Sequence, residues 1–318
     1  MEQPPETFVH HQATEEQATQ LKTEIEAQIP ELTVRVARTP AETEALIPAA
    51  RMLLTFRLPG ALLDRAENLA LVQALSAGVD SYDLDRLREE GIVLTSASGS
   101  HAEPIGEQVL GYMLLFERDL LGGLDRKRRG VWERYSAGEL LGKTLGVVGV
   151  GAIGTRIAEL GRAVGMTVVG TKRDLDDVPE AVDEIFPPED LHTVLQRSDY
   201  VVLSCPLTDA TRALIGAEEL GVLGTDAVLI NVARGGVVDQ DALVTALQQR
   251  RIRGAALDVF EEEPLPSSSA LWDLSNVIVT PHMAGVSPAY HARKARIFVQ
   301  NYRAFVDGSD DGYVNRVV

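Results

Sequence analysis

Cysteine is nearly absent: Cys205 stands alone among 318 residues. No intrachain disulfide can form, and the composition fits a reducing compartment. Positive charge is also scarce. Lysine and arginine total 30 against 47 aspartates and glutamates, a net charge of −17, which argues against a nucleic acid or an anionic membrane as partner. Only Lys22, Lys127, Lys143, Lys172 and Lys294 are lysines, the other cations being arginine. An acidic, lysine-poor surface suits high salt, where self-repulsion is screened, so adaptation to such a medium is expected. No apolar run approaches the length of a membrane span. Met1–Glu6 has neither the basic nor the apolar region of a secretion signal, and a soluble, cytoplasmic protein is expected. Internal repeats are missing, low complexity is confined to Ser267–Ser269, and no metal is expected.

The glycines point to a cofactor. Gly149-x-Gly151-x-x-Gly154 follows the apolar run Thr144–Val150, which reads as a buried strand. Ile153–Val164 reads as the next helix, with Ile153, Ile157, Leu160 and Val164 on one stripe. At such a turn Gly149 permits the tight bend and Gly151 lets a pyrophosphate approach the backbone. Gly154 allows close helix–strand packing, and the helix N-terminus at Ala152 and Ile153 offers free N–H groups to phosphate. The next strand, Thr167–Gly170, runs into Thr171, Lys172 and Arg173. An NAD site ordinarily has an acidic ribose reader there, whereas a 2′-phosphate calls for cations. NADP is therefore the expected preference, with NAD second. A shift of two residues would instead put an acidic reader at the strand end, from among Asp174, Asp176 and Asp177.

The fingerprint lies near mid-chain, so a separate domain, of the order of 100 residues, is built first. Candidate strands Thr7–His10, Thr33–Val36, Met52–Phe56, Leu71–Leu75 and Ile92–Thr95 alternate with candidate helices Glu15–Ile29, Pro40–Ile47, Pro59–Ala66 and Asp83–Glu90. This pattern predicts a parallel sheet covered on both faces. A long apolar helix is expected over Ala102–Leu121, a polar stretch over Asp125–Ser136, and a terminal helix over Ser287–Val306 that returns to the first domain. The expected fold class is α/β, with two doubly wound parallel-sheet domains. Residues 1–99 plus 286–318 would form one, and residues 100–285 the other.

Beyond the fingerprint come Cys205-Pro-Leu-Thr-Asp-Ala-Thr211, Asn231-Val-Ala-Arg234-Gly-Gly, Ala256-Leu-Asp-Val-Phe-Glu-Glu-Glu-Pro264 and Val279-Thr-Pro-His282-Met-Ala-Gly285. In this order the motifs resemble the D-2-hydroxyacid dehydrogenase family, recognisably from about Leu71 to Gly285. The resemblance implies a flavodoxin-like substrate domain, a Rossmann cofactor domain, a homodimer, and reduction of small 2-keto acids to D-2-hydroxy acids with NAD(P)H. It also implies cofactor contacts at Ser204, Cys205, Pro206, Thr211, Val232, Ala233, His282, Ala284 and Gly285, with Asp258 on the nicotinamide carboxamide. Read by itself, Asp258 also fits a satisfied strand-end carboxylate. The loop Ser76-Ala77-Gly78-Val-Asp80 matches the family's carboxylate-binding backbone; the plain alternative is a turn. Two departures stand out: Ser96-Ala-Ser98-Gly99 replaces the usual Asn-Thr-Pro-Gly, and Ser204-Cys205-Pro206 stands where a His is common.

The chemistry is also intelligible from the side chains. A planar guanidinium, Arg234, can bind the carboxylate and carbonyl of a keto acid in a bidentate way that lysine cannot copy. Histidine has the intrinsic pKa to protonate a forming alkoxide, which points to His282. A neighbouring carboxylate would orient that ring and favour its charged form. Glu261, Glu262 and Glu263 compete for this place, and the family motif selects Glu263, before the proline. His101 reads as a helix-terminus or packing residue. A rival class is a dinucleotide-sensing interaction module like the family's corepressor relatives, but the chain shows no low-complexity tail for partner capture.

Overall fold

A computed structural model of the chain describes residues 7–10, 15–79 and 81–318. The expectations for Met1–Glu6 and for Asp80 lie outside the described residues. Two compact units emerge, Met1–Ser100 with Ser287–Val318 and His101–Val286.

The first unit is built on β1 (Thr7–His10), β2 (Val34–Ala37), β3 (Met52–Thr55), β4 (Leu71–Ala74) and β5 (Val93–Thr95). Their order is β2-β1-β3-β4-β5, and every pairing is parallel. This is the flavodoxin-like winding. Side chains alternate between two cores. Met52 and Leu54 join Ile25 of helix Glu15–Gln28 and Phe298 of helix Tyr290–Asp307, while Leu53 joins Ile47, Leu62 and Leu87 on the other face. Burial on both faces explains why these strands read as unbroken apolar runs. The terminal helix is tied down by polar contacts. The buried Asn301 amide donates to Gln73 Oε1 at 2.9 Å, and the same oxygen accepts from Thr95 at 2.8 Å.

The second unit contains β6 (Thr144–Val148), β7 (Thr167–Thr171), β8 (Glu184–Phe186), β9 (Tyr200–Leu203), β10 (Val228–Asn231), β11 (Gly254–Leu257) and β12 (Val277–Val279). The order is β12-β11-β10-β9-β6-β7-β8, parallel throughout. The winding reverses between β6 and β9. A crevice outside the carboxyl ends of strands at such a reversal is where open α/β sheets bind ligands, and the Gly149 turn follows β6 there. The α/β class with two doubly wound sheets is thus what the chain adopts.

Some element boundaries differ from expectation. The helix expected over Ala102–Leu121 stops at Glu117, and a second helix, Leu120–Arg128, occupies part of the stretch read as polar. Asp119 makes the break in the left-handed region, φ +47°, which short polar side chains tolerate best after glycine; Arg126 holds its carboxylate at 3.0 Å. Glu117, buried, accepts from Tyr200 Oη at 2.6 Å and from Arg253 at 3.1 Å, fastening the first helix at its end. The helix read over Pro59–Ala66 shrinks to the single turn Gly60–Leu63. Among the described residues no helix is long and apolar enough to cross a membrane.

Candidate active site

The three fingerprint glycines have three different surroundings. Gly149 adopts φ +98°, and a Cβ there would lie 2.7 Å from the Cys205 backbone. A Cβ on Gly154 would come within 2.4 Å of the Gly149 carbonyl oxygen and 3.0 Å of Val147. Gly151 is unlike both: a Cβ would meet nothing within 4 Å. Two glycines thus serve backbone packing, and the third leaves open ground over the turn. Helix Ala152–Ala163 starts there without any side-chain cap. Its first-turn N–H groups, at Ala152, Ile153 and Gly154, have no helical acceptor, and the positive dipole end faces the same space. An anionic pyrophosphate fits this donor set. Ser204 Oγ donates to the Gly149 carbonyl at 2.9 Å, and Thr171 Oγ1 accepts from Gly149 N at 3.2 Å, so both brace the turn. Burial pushes the Cys205 thiol upward, which makes it a packing sulfur rather than a nucleophile.

At the end of β7 the two cations diverge. Lys172 Nζ pairs with Asp177 Oδ2 at 2.7 Å and also reaches the Asp177 carbonyl. Arg173 is exposed and makes no ion pair or hydrogen bond among the described residues. Asp174 is engaged locally, accepting from Asp176 N at 3.1 Å. Thr211 is also occupied: its hydroxyl donates to the Pro206 carbonyl at 2.6 Å and accepts from Thr208 N at 2.8 Å.

Beyond β11 and β12 the residues expected to do acid–base chemistry converge. His282 Nδ1 lies 2.7 Å from Glu263 Oε2, and Glu263 Oε1 accepts from Phe260 N at 3.0 Å. Glu261 instead accepts from Gln240 N at 3.2 Å, so of the three glutamates Glu263 is the one beside the histidine. Desolvation pushes the Glu263 carboxyl upward, but the His282 and Phe260 hydrogen bonds and the His282 and Arg234 charges prevail, leaving it below the ordinary 4.5.

His282 sits in the left-handed region, φ +50°, and Asp258 explains how that is sustained. The buried Asp258 carboxylate accepts from Met283 N and Ala284 N at 2.9 Å each, and from Thr280 Oγ1 at 2.5 Å. Its backbone carbonyl takes His282 N at 2.8 Å. Tyr112 braces Thr280 in turn, with the hydroxyls 2.5 Å apart. Behind this loop a Cβ on Gly285 would fall 2.8 Å from His101 Nδ1, which also lies 3.2 Å from the Gly285 carbonyl. His101 is therefore a packing partner of the loop, as the sequence indicates.

Arg234 is presented by a turn following β10. Asn231 staples that turn, donating to the Arg234 carbonyl at 3.1 Å and accepting from Ala233 N at 3.0 Å. Val232 and Ala233 are buried beneath it. A Cβ on Gly235 would lie 1.8 Å from the Phe260 carbonyl carbon, so the arginine turn is pressed against the segment that carries Glu263. The guanidinium is exposed and donates to the Ala233 carbonyl at 2.7 Å. Asn231, Gly235, Thr280 and Tyr112 position the site, yet sequence reasoning assigned them no role. Tyr112 is 168 positions from Thr280, and no local pattern could have linked them.

Ala77 and Gly78 belong to the first unit. They are exposed, and the Gly78 carbonyl accepts from Ser76 Oγ at 2.7 Å. The N–H groups of Ala77 and Gly78 donate to no protein acceptor among the described residues.

The family model described as D-isomer specific 2-hydroxyacid dehydrogenase, NAD binding domain, matches residues 110–284. The glyoxylate reductase of Aeropyrum pernix is 36% identical over 299 residues, 88% of each chain. The D-3-phosphoglycerate dehydrogenase of Methanocaldococcus jannaschii is 37% identical over 226 residues, 70% of this chain but 42% of its own length. A solved D-isomer specific 2-hydroxyacid dehydrogenase from Xanthobacter autotrophicus Py2, in complex with NADPH and MES, is 32% identical with a TM-score of 0.83, over 99% of this chain and 98% of its own. The match across the second unit and the near-complete coverage by relatives agree with the winding of both sheets and the residues gathered beyond β10, β11 and β12. The chain belongs to the D-isomer-specific 2-hydroxyacid dehydrogenases, NAD(P)-dependent oxidoreductases that interconvert 2-keto and 2-hydroxy acids.

Proposed function

We propose that this chain reduces small 2-keto acids, with His282 as proton donor, Glu263 as its orienting partner and Arg234 as the group that binds and polarises the keto acid. The observation that carries the reading is the 2.7 Å His282–Glu263 contact. With Nδ1 engaged by the carboxylate, Nε2 is the ring nitrogen left to hand a proton to an alkoxide. A dinucleotide held with its pyrophosphate over Gly151 would supply the hydride for the keto carbon from its reduced nicotinamide. Arg234 brings a fixed fork of donors to the carboxylate and carbonyl, and the N–H groups of Ala77 and Gly78 are offered as further carboxylate donors. Asp258 keeps an acceptor position on Oδ2 for the nicotinamide carboxamide while holding the His282 loop. In this reading residues 1–99 plus 286–318 bind substrate and residues 100–285 bind cofactor, with Val232, Ala233, Ala284 and Gly285 lining the nicotinamide end. Consumption of NAD(P)H with glyoxylate, hydroxypyruvate or pyruvate tests it. Tight cofactor binding without turnover of any keto acid would favour the sensing module instead.

NADPH is the proposed preferred cofactor, and Arg173, exposed and with no ion pair among the described residues, is the cation offered to its 2′-phosphate. Lys172 is held by Asp177, which competes with a 2′-phosphate for the ammonium. A charge-assisted hydrogen bond is worth about 1.5–3 kcal/mol, so NADPH should exceed NADH in kcat/KM by about tenfold or more. Asp177→Asn should lower the KM for NADPH several-fold by releasing Lys172, and added salt should erode the preference because the site is open to solvent. A wild type that favours NADH would return the reader's role to Asp174.

A homodimer is the proposed assembly. Helix Leu120–Arg128 buries none of its residues, and Leu120, Leu121, Leu124, Val131 and Tyr135 are exposed beside a fully exposed Trp132. Monomers rarely leave such a patch open, and a second copy of the chain would cover it. Trp132→Glu should halve the mass seen in sedimentation; an unchanged mass would remove this patch from the interface. The acidic surface is proposed to be an adaptation to salt in a cytoplasmic protein, expressed as a Tm that rises with potassium chloride.

A further inference from the structure

Lys294 is the least accessible of the described lysines, at 3% exposure. Lys22, Lys143 and Lys172 each face a carboxylate; Lys294 faces none among the described residues. Its ammonium instead hydrogen-bonds the Tyr290 hydroxyl and lies 4.6 Å from the Phe56 ring centroid and 3.8 Å from that of Tyr290. Burial pushes its pKa down to about 7, and that of the Tyr290 hydroxyl up to about 12. A desolvated cation without a counter-charge is costly to keep. Two aromatic faces and one hydroxyl do not replace a carboxylate.

The location gives the cation a use. Phe56 directly follows β3, Thr55 of β3 pairs with Ala74 of β4, and Ser76, Ala77 and Gly78 come just after β4. Lys294 therefore stands at the carboxyl edge of β3, beside the β1–β3 reversal where open α/β sheets receive ligands, on the same edge as the Ala77 and Gly78 N–H groups, which meet no protein acceptor among the described residues. Tyr82 Oη donates to the Thr55 carbonyl at 2.6 Å, and Ser81 Oγ to the Phe56 carbonyl at 3.3 Å, so the wall around the cation is braced. We propose that Lys294 reads the tail of the substrate, and that the preferred 2-keto acids carry a second anionic group there. This rests on the keto-acid reductase reading above and assigns its substrate class. Ala77 and Gly78 would hold the first carboxylate, and the distal oxyanion would supply the counter-charge that Lys294 lacks. Binding of that anion favours the charged ammonium over the neutral amine.

The test compares oxaloacetate with 2-oxopentanoate, a neutral-tailed analogue of similar length, in the wild type, Lys294→Met and Lys294→Arg. The wild type should favour oxaloacetate in kcat/KM. Lys294→Met should lose about 10- to 100-fold on oxaloacetate, as expected for one charge-assisted contact, mainly through KM. The same variant should improve on 2-oxopentanoate, because an uncompensated cation is gone. Lys294→Arg, keeping the charge, should restore part of the oxaloacetate preference. Calorimetric binding of D-malate to the NADP-loaded protein should weaken in step with KM. Equal effects of Lys294→Met on both substrates would overturn the proposal, as would a wild type that prefers 2-oxopentanoate, an outcome that needs no folded variant. Failure to turn over either keto acid would strike the reductase reading instead; D-malate affinity insensitive to Lys294→Met would then overturn the Lys294 proposal separately.

Discussion

His282→Ala should reduce kcat for keto-acid reduction by about 10²–10⁴-fold, the range over which a positioned general acid contributes, while the dissociation constant of the cofactor changes little. The lost group acts in the transition state, so kcat and kcat/KM should fall together. Stopped-flow turnover and fluorescence titration of NADPH measure the two quantities. An unchanged kcat would remove His282 from the reaction. The partner is tested by pH. Because Glu263 is held below the ordinary carboxylate value, the acid limb arising from its protonation should fall below about pH 4.5, and Glu263→Gln should abolish that limb. The sign for stability is the same. A carboxyl lowered in the folded state contributes stability above its unfolded pKa, and the contribution is lost as pH falls through the folded value. A Gln variant with the wild-type acid limb would return the role to Glu261 or Glu262.

Arg234→Lys should lower kcat/KM by about 10–100-fold, with KM rising and kcat falling together. A point charge keeps the attraction for a carboxylate and loses the planar second hydrogen bond, a contact worth about 1.5–3 kcal/mol. The scaffold is prepared for a guanidinium. Asn231 locks the turn on both sides of the residue, and Gly235 lets it lie against Phe260 without a clash. A lysine would inherit the position of the turn but could not fork toward two oxygens at once. Near-normal kinetics for Arg234→Lys would mean that this side chain does not touch the substrate.

The α/β class, the Gly149–Gly154 turn and the candidacy of Arg234, His282 and the glutamate before Pro264 were legible in the sequence. Each is encoded locally. Strands buried on both faces must be apolar throughout, a φ of +98° demands glycine, and a bidentate anion receptor or a proton donor needs a particular side chain. The boundary between Glu117 and Leu120 was not legible, because apolar residues continue across it and the break depends on Asp119 and on Glu117 meeting Tyr200 and Arg253. Residue type by itself left Glu261, Glu262 and Glu263 equivalent, the family motif selected Glu263, and in the tertiary structure it is Glu263 that lies against His282, since adjacent identical carboxylates differ in nothing but direction. Packing alone shows Lys172 committed to Asp177, Asp258 holding the His282 loop with Tyr112 behind Thr280, and Lys294 buried with no carboxylate facing it among the described residues. These are relations between side chains distant in sequence or oriented by packing, and a one-dimensional pattern carries residue type and spacing but not direction.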